Sequence, residues 1–395
     1  MILHYIHSDN TKEEILFNDK KPHIDGWKYL QTLNKKAFIE SFIPAYKNGE
    51  KIVLFDANHK QLLDFYTTHN INALEGIEQL PYDTKLLFFT SGSSGFPVGA
   101  FKTIRNVEQE VQSLKKVIIK RNIKKVIVTV PFVHIYGILA GLLLPLSLGD
   151  IKLVVKEDFL PYELLEEAKE ANTLVITTPV FIKALGKLSL DTPLKETLFI
   201  SSTAPLATED ITLFCQKYHA DVMQLFGSTE TGGIAYKLNE SSRWIPLDGV
   251  EVCCVNEKLQ VRSPFVSENL LREQIEPVQQ PYQTEDIIEI NDEGFLLKGR
   301  SNKLIKIAGK RISALQIEKI LEEIPEVNKA IVELVYKKEL LRSEQIVITL
   351  EATKKLKKKT LKEKISQYYG IITIPFNLKY VEKINYSAMG KKVIF

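Results

Sequence analysis

From about residue 50 to residue 226 the chain alternates short apolar runs with amphipathic stretches, and that alternation leaves few folds open to it. KKVIVTVPF, DIKLVVK, NTLVITTP and TLFISSTAP are rich in Val, Ile, Leu and Thr and read as buried strands. Ahead of the first of them, Ile104, Val107, Val111, Leu114 and Ile118 recur at spacings of three and four, which puts them on one face of a helix. Strand, helix, strand in this rhythm implies parallel pairing through helical crossovers. The expected fold class is therefore α/β, with a large N-terminal domain of parallel or mixed sheets and helices.

From 243 to 300 the pattern changes to short strands and turns, as in GVEVCCVNEKLQVRSPF and IIEINDEGFLLKG, which predicts a small antiparallel barrel or sheet. After Arg300 a separate α+β unit follows: ALQIEKILEEI and LKEKISQYYG are helical, VNKAIVELVY and EQIVITLEA are strands. A chain of 395 residues exceeds the ~250 to 300 over which one core keeps growing, so two domains are expected, 1–302 and 303–395. The run TKKLKKKTLKEK is either a solvated face or a basic docking face.

A composition of 45% hydrophobic and 26% charged residues excludes a disordered or fibrous chain. Net charge is only +3, which gives no general attraction for nucleic acid, and no nucleic-acid partner is expected. The three cysteines, Cys215, Cys253 and Cys254, have neither metal-ligand spacing nor a disulfide framework, which fits a reducing cytoplasm. MILHYIHSDNTKEE is charged early, and GILAGLLLPLSLGD is interrupted by Pro145 and shorter than the ~20 residues that span a bilayer. A cytoplasmic protein with no signal peptide and no membrane span is expected.

The segment LLFFTSGSSGFPVGAFKT, Leu86 to Thr103, runs from an apolar strand through a Gly/Ser loop toward the helix. Such a loop gathers backbone N–H groups and hydroxyls suited to phosphate oxygens, and it also reads as a plain turn. A Walker loop starting at Gly92 requires Gly-Lys where Pro97 and Val98 stand, and G-x-G-x-x-G is absent. Further on, QLFGSTETGGIAYK presents Ser228, Thr229 and Glu230 at the expected carboxyl end of a parallel sheet, where ligands bind in such folds. Glu230 is either a solvated loop residue or, beside a phosphate loop, a ligand for Mg2+.

With YQTEDIIEINDEGFLLKGR, KLIKIAGKRISALQIE and NYSAMGKKVIF added in order, the chain resembles the AMP-forming acyl-activating superfamily. The members of that superfamily are acyl- and aryl-CoA ligases, acyl-carrier-protein synthetases, adenylation domains and luciferases. Matching segments run from about Lys85 to Lys392. The resemblance implies a large N-terminal domain with a small β-barrel and a smaller, mobile C-terminal domain. It implies ATP and Mg2+ as cofactors, a small carboxylic acid, aryl or fatty, as substrate, and CoA or the phosphopantetheine of an acyl carrier protein as acceptor. The acid is adenylated with release of pyrophosphate, and a thiol then displaces AMP.

By the same resemblance Thr90, Ser91, Gly92, Ser93, Ser94 and Gly95 hold the pyrophosphoryl end of ATP. Phe226, with Gly227 and Ser228 beside it, stacks on adenine opposite Ser202, Thr203, Ala204 and Pro205. Thr229 contacts the α-phosphate and Glu230 coordinates Mg2+. Asp286 takes the ribose hydroxyls with Arg300 in support, Lys306 joins the nucleotide contacts, and Lys303 marks the hinge. Lys391 matches the lysine that enters the site during adenylation, although Lys392 stands beside it. Gly309 lets a pantetheine arm pass once the C-terminal domain has rotated. His134 sits near the substrate carboxylate or is a structural histidine. Phe132, Tyr136, Gly137, Ser201, Gly232 and Ile234 line the acyl pocket, with Phe181 at its edge; the glycines at 232 and 233 leave room for a ring or chain, and no acidic residue is placed to hold an amino group.

The chain departs from the family in three places. Val98 replaces the usual Lys after the loop proline, with Lys102 a candidate to supply the missing charge. Glu285 replaces Gly before Asp286, and the first motif arrives early, at residue 90, so the N-terminal region is abridged. Two functions follow: an ATP-dependent acid–thiol ligase, or a non-catalytic relative that binds nucleotide or acyl-adenylate.

Overall fold

The computed structural model describes residues 1–15, 26–31, 34–55, 71, 74–90, 98–189, 192–194, 196–300, 304–307, 310–336, 344–369, 376–386 and 392–393. The chain divides into two compact units, Met1–Cys253 with Gln260–Gln283, and Cys254–Leu259 with Thr284–Phe395.

The first unit is built on two sheets. The larger has nine strands in the order Ile245–Pro246, Gly232–Leu238, Asp221–Ser228, Leu198–Ser201, Thr173–Thr177, Lys125–Val128, Lys152–Lys156, Ile2–Ile6 and Lys12–Ile15. Its centre is parallel, as the apolar runs predicted: Leu198 to Ser201 pair in register with Leu174 to Thr177 on one side and Asp221 to Gln224 on the other. Side chains of alternate residues emerge on opposite faces of a strand. Accordingly Ile127, Val154, Val175, Phe199 and Val222 pack as one cluster against Leu164, Ile182 and Phe214. These last come from the helices Pro161–Glu167, Pro179–Gly186 and Thr208–Tyr218.

The smaller sheet has six strands in the order Ile275–Pro277, Asn269–Leu271, Val98–Thr103, Thr84–Thr90, Lys51–Phe55 and Trp27–Gln31. Two expectations change here. The Gly/Ser loop does not run from a strand into a helix; it joins two antiparallel strands, with Thr90 opposite Val98. The reason is that Gly99 to Thr103 are buried and pair on both edges, to Thr84–Thr90 and to Asn269–Leu271. The helix Ile104–Ile118 starts only afterwards, at a capping box between Thr103 and Asn106. Its buried residues include the expected Val107, Val111, Leu114 and Ile118, together with Glu110. The second change concerns the short strands after residue 243, since two of them complete this six-stranded sheet while Glu251–Val255, Lys258–Arg262, Tyr282–Asn291 and Gly294–Arg300 form a four-stranded one.

Most of GILAGLLLPLSLGD is helical, in Ile135–Ile138 and Leu144–Leu148 with a π-helical turn, Leu139–Leu143, between them, and it is buried from Gly137 to Pro145. No helix among the described residues is long and apolar enough to cross a membrane.

The second unit has the α+β composition expected after Arg300. Val327–Tyr336, Glu344–Ala352 and Phe376–Val381 form a three-stranded sheet, and the helices Ala314–Glu322 and Lys358–Tyr369 contribute Ile317, Leu321, Leu361 and Ile365 to its core.

Candidate active site

Ser202 to Pro205 and Phe226 to Glu230 stand at the carboxyl ends of adjacent parallel strands of the nine-stranded sheet. Strand Leu198–Ser201 runs out into Ser202 to Pro205, and its neighbour Asp221–Ser228 into the turn that carries Thr229 and Glu230. The two segments are tied together by the Ser202 hydroxyl, which donates to the Leu225 carbonyl at 2.9 Å. Thr203 adopts a left-handed backbone, φ 81°. Phe226 is half-buried and tilts against Trp244 at 5.3 Å between ring centroids, and the Lys237 ammonium lies 4.9 Å from the centre of that indole. Burial holds the Lys237 ammonium below its ordinary pKa.

Beside these residues stand two unsatisfied groups. Ser201 Oγ and Gln224 Nε2 are buried without a hydrogen-bond partner, on residues 1% and 5% exposed that face each other in register. Buried polar atoms are rarely left unpaired, because an orphaned one costs about 1–3 kcal/mol. Their presence next to Ser202 and Phe226 fits a polar ligand at this end of the sheet.

The turn after Phe226 is fixed closely. Ser228 Oγ lies 3.0 Å from Thr231 Oγ1, each side chain accepts from the other residue's backbone N–H, and the Thr231 hydroxyl also donates to the Gly232 carbonyl. A Cβ on Gly227 would stand 2.3 Å from the Gly232 carbonyl oxygen, so this crossing admits only glycine. The Glu230 carbonyl accepts from the Ser267 N–H at 2.8 Å and from the Lys102 ammonium at 3.1 Å. Thr229 and Glu230 remain half-buried on the outer side of this frame. Among the described residues no group of three or more His, Cys, Asp or Glu is placed to hold a metal. A single carboxylate suits Mg2+, which is commonly held by one or two carboxylates plus substrate phosphates.

Several assignments must be corrected. Lys102 supplies no charge to an open phosphate loop: it is 1% exposed, and its ammonium is bound to the Glu230 and Phe265 carbonyls. The glycines at 232 and 233 do not leave room for a substrate. A Cβ on Gly232 would come within 2.4 Å of Glu110 Oε2, and one on Gly233 within 2.8 Å of Leu247 Cδ1. Gly137 likewise faces backbone, 2.1 Å from the Pro131 oxygen to an added Cβ. Tyr136 is buried and its hydroxyl sits 2.7 Å from the Ile200 carbonyl and 3.1 Å from that of Thr177, while burial pushes its pKa up. Phe132 stacks on Phe38, and Ile234 is buried too. Phe132, Tyr136, Ser201, Gly232 and Ile234 are thus all buried. Phe181 packs on the core of the opposite sheet face, and His134 is the half-buried residue preceding helix Ile135–Ile138.

In the second unit Asp286 and Arg300 face each other across the hairpin Tyr282–Asn291/Gly294–Arg300, with Arg300 Nε 3.5 Å from Asp286 Oδ1. The extra charge of Glu285 is matched by Lys258, 2.9 Å away. Lys392 is engaged rather than available: its ammonium binds Glu322 at 2.6 Å, the Ala330 carbonyl at 2.9 Å and Glu318 at 3.1 Å. Burial opposes that charge, but the two glutamates outweigh it and hold its pKa above the usual lysine value. Lys306 lies in strand Leu304–Ile307. Ser91 to Gly95, Lys303, Gly309 and Lys391 lie outside the described residues, and of Thr90 only the strand position is described.

Two residues of this site were missed. Thr231 was signalled by its spacing from Ser228, the pattern of a side-chain-closed turn. Glu110 was signalled by its place on the apolar helix face, three residues after Val107 and four before Leu114, where a charge needs a buried partner.

Residues 30–264 match the model of the AMP-binding enzyme family. The chain belongs to the AMP-forming acyl-activating superfamily. The chain is 24% identical over 252 residues to the 4-coumarate–CoA ligase of Cereibacter sphaeroides, covering 63% of this chain and 56% of that enzyme. It is 24% identical over 278 residues to 4-coumarate–CoA ligase-like 8 of Arabidopsis thaliana, covering 63% of this chain and 50% of the relative. The chain thus spans about half the length of these curated relatives. The fold of the chain is similar to that of O-succinylbenzoate coenzyme A synthetase (MenE) from Bacillus subtilis, solved with ATP and magnesium ion. The TM-score is 0.75 at 16% identity, with 99% of this chain and 95% of that one covered.

Proposed function

We propose that the protein is an ATP-dependent acid–thiol ligase. It adenylates a carboxylic acid and passes the acyl group to a pantetheine thiol, that of CoA or of an acyl carrier protein. The observation that carries this reading is the rigid turn bearing Thr229 and Glu230 at the carboxyl end of the large sheet, within the segment matched to the AMP-binding family.

In the first step a carboxylate oxygen attacks the α-phosphorus of ATP, a P–O bond forms, and pyrophosphate leaves with the electron pair of the broken bond. Both partners are anions, so the step needs positive charge and fixed donors at the reacting phosphoryl group. Thr229 contacts the α-phosphate, and Lys391 neutralises the charge developing between carboxylate and phosphate. Glu230, together with phosphate oxygens, would hold Mg2+, and the ion would supply further positive charge there. Phe226 and Ser202 to Pro205 receive the adenine, and Asp286, oriented by Arg300, accepts from the ribose hydroxyls. In the second step the thiol sulfur attacks the acyl carbonyl, AMP leaves and the thiol proton passes to solvent.

The named 4-coumarate ligase relatives support an aryl acid and CoA. The basic run at 354–364 suits the phosphates of CoA and an acidic carrier protein equally. The experiment is AMP release measured with aryl, hydroxyaryl and fatty acids, each with CoA or a phosphopantetheinylated carrier protein. AMP release that requires both one acid class and one thiol supports the ligase and names its substrates. ATP binding without acid-dependent AMP release supports the non-catalytic alternative instead, with Val98 the residue to restore to lysine first.

A further inference from the structure

Beneath the Glu230 turn lie two charged side chains that the proposed chemistry does not use. Lys102, on strand Val98–Thr103, and Glu110, on helix Ile104–Ile118, are 1% and 5% exposed. Lys102 donates to the Phe265 carbonyl at 2.5 Å and to the Glu230 carbonyl at 3.1 Å. Glu110 Oε1 accepts from the Gly233 N–H at 2.7 Å, and its other oxygen fills the space where a Cβ on Gly232 would stand. The two thus grip the turn at both ends, Glu230 and Gly233, from elements consecutive in the chain. Burial pushes the Glu110 carboxyl up and the Lys102 ammonium down, and the opposite charge of the partner works against each shift. A buried ion pair of this kind is seldom a net source of stability, since desolvation offsets the attraction. A single Leu or Met at each position would fill the same space at less cost. What the pair does supply is directed hydrogen bonds to the backbone of one turn.

We propose that Lys102 and Glu110 are positioning residues that set the backbone of the Thr229–Glu230 turn, and through it the placement of the Glu230 carboxylate for Mg2+. The second part rests on the ligase reading; the first does not. Lys102 then acts on the site from below, through backbone, and does not replace the lysine missing at Val98.

The test is the near-isosteric double variant Lys102→Met/Glu110→Gln, which removes both charges together and so avoids leaving either one buried alone. Two quantities are compared with the wild type: amide hydrogen exchange of peptides covering residues 226–236, and the Mg2+ concentration giving half-maximal acid-dependent pyrophosphate exchange. Expected are a roughly tenfold or greater acceleration of amide exchange in those peptides, protection retained elsewhere in the first unit, and a roughly tenfold rise in the Mg2+ requirement. Wild-type protection at 226–236 overturns the positioning role. A changed amide exchange with an unchanged Mg2+ requirement overturns the link to Glu230. If the wild-type protein shows no pyrophosphate exchange at all, the ligase reading fails, while the amide measurement still decides whether the pair holds the turn. Should the double variant not fold, Glu110→Asp keeps both charges and draws the acceptor back from the Gly233 N–H. A roughly threefold or greater acceleration of amide exchange at 226–236 is then expected, and wild-type exchange overturns the proposal.

Discussion

Gly227→Ala places a Cβ 2.3 Å from a backbone oxygen that has no freedom to move away, and should cost on the order of 1–3 kcal/mol, read as a lowered unfolding midpoint. Asp286→Asn keeps the shape but weakens the acceptor for the ribose hydroxyls and the pairing with Arg300; the KM for ATP should rise roughly tenfold with kcat changed less. Lys35 gives a prediction in pH. Burial lowers its pKa to about 8, although Glu157 and Asp158 oppose the shift, and its ammonium donates to the carbonyls of Thr129, Lys156 and Glu157. The unfolded chain holds that proton up to about 10.5, so between about 8 and 10.5 the unfolded state binds more protons and stability rises with pH. Lys35 should contribute on the order of 3 kcal/mol to that rise. Denaturation midpoints at pH 8 and pH 10, in wild type and Lys35→Met, measure it; a rise undiminished in the variant would contradict the assignment. The roles proposed for Phe226, Thr229, Glu230 and Asp286 follow from the family resemblance, carried by motifs that each span only a few neighbouring residues. What Lys102 and Glu110 do was not legible, since their partners, Phe265 and Gly233, lie far along the sequence.

Elements were readable where their pattern is periodic. The apolar runs of the nine-stranded sheet and the Val107, Val111, Leu114, Ile118 face of the helix each declare themselves within a few residues. The strand Val98–Thr103 did not, because it is short, contains Gly99 and Lys102, and is held by pairing to Asn269–Leu271, a segment far away in sequence. Nor did the surroundings of the residues expected to line the acyl pocket, which depend on side chains from separate elements: the Tyr136 hydroxyl reaches the Ile200 carbonyl and Glu110 fills the space at Gly232. The helix Ile104–Ile118 supplies its own test. Thr103→Ala removes the acceptor for the Asn106 N–H and half of the capping box, and should cost about 1 kcal/mol by denaturant unfolding.

At the scale of the whole molecule, the proposed reaction assigns roles to residues of both compact units, to Phe226, Thr229 and Glu230 of the first and to Asp286 and Lys391 of the second. Lys392 is spent on Glu318 and Glu322, which leaves Lys391 as the lysine of this pair proposed for adenylation. The most direct measurement is acid-dependent exchange of pyrophosphate into ATP by the wild-type protein, Lys391→Ala and Lys392→Ala. Adenylation by Lys391 predicts exchange that requires the acid and falls at least ~100-fold in Lys391→Ala, with the loss in Lys392→Ala no larger than its loss of folded protein. Exchange undiminished in Lys391→Ala, or absent from a wild-type protein that binds ATP, would contradict it.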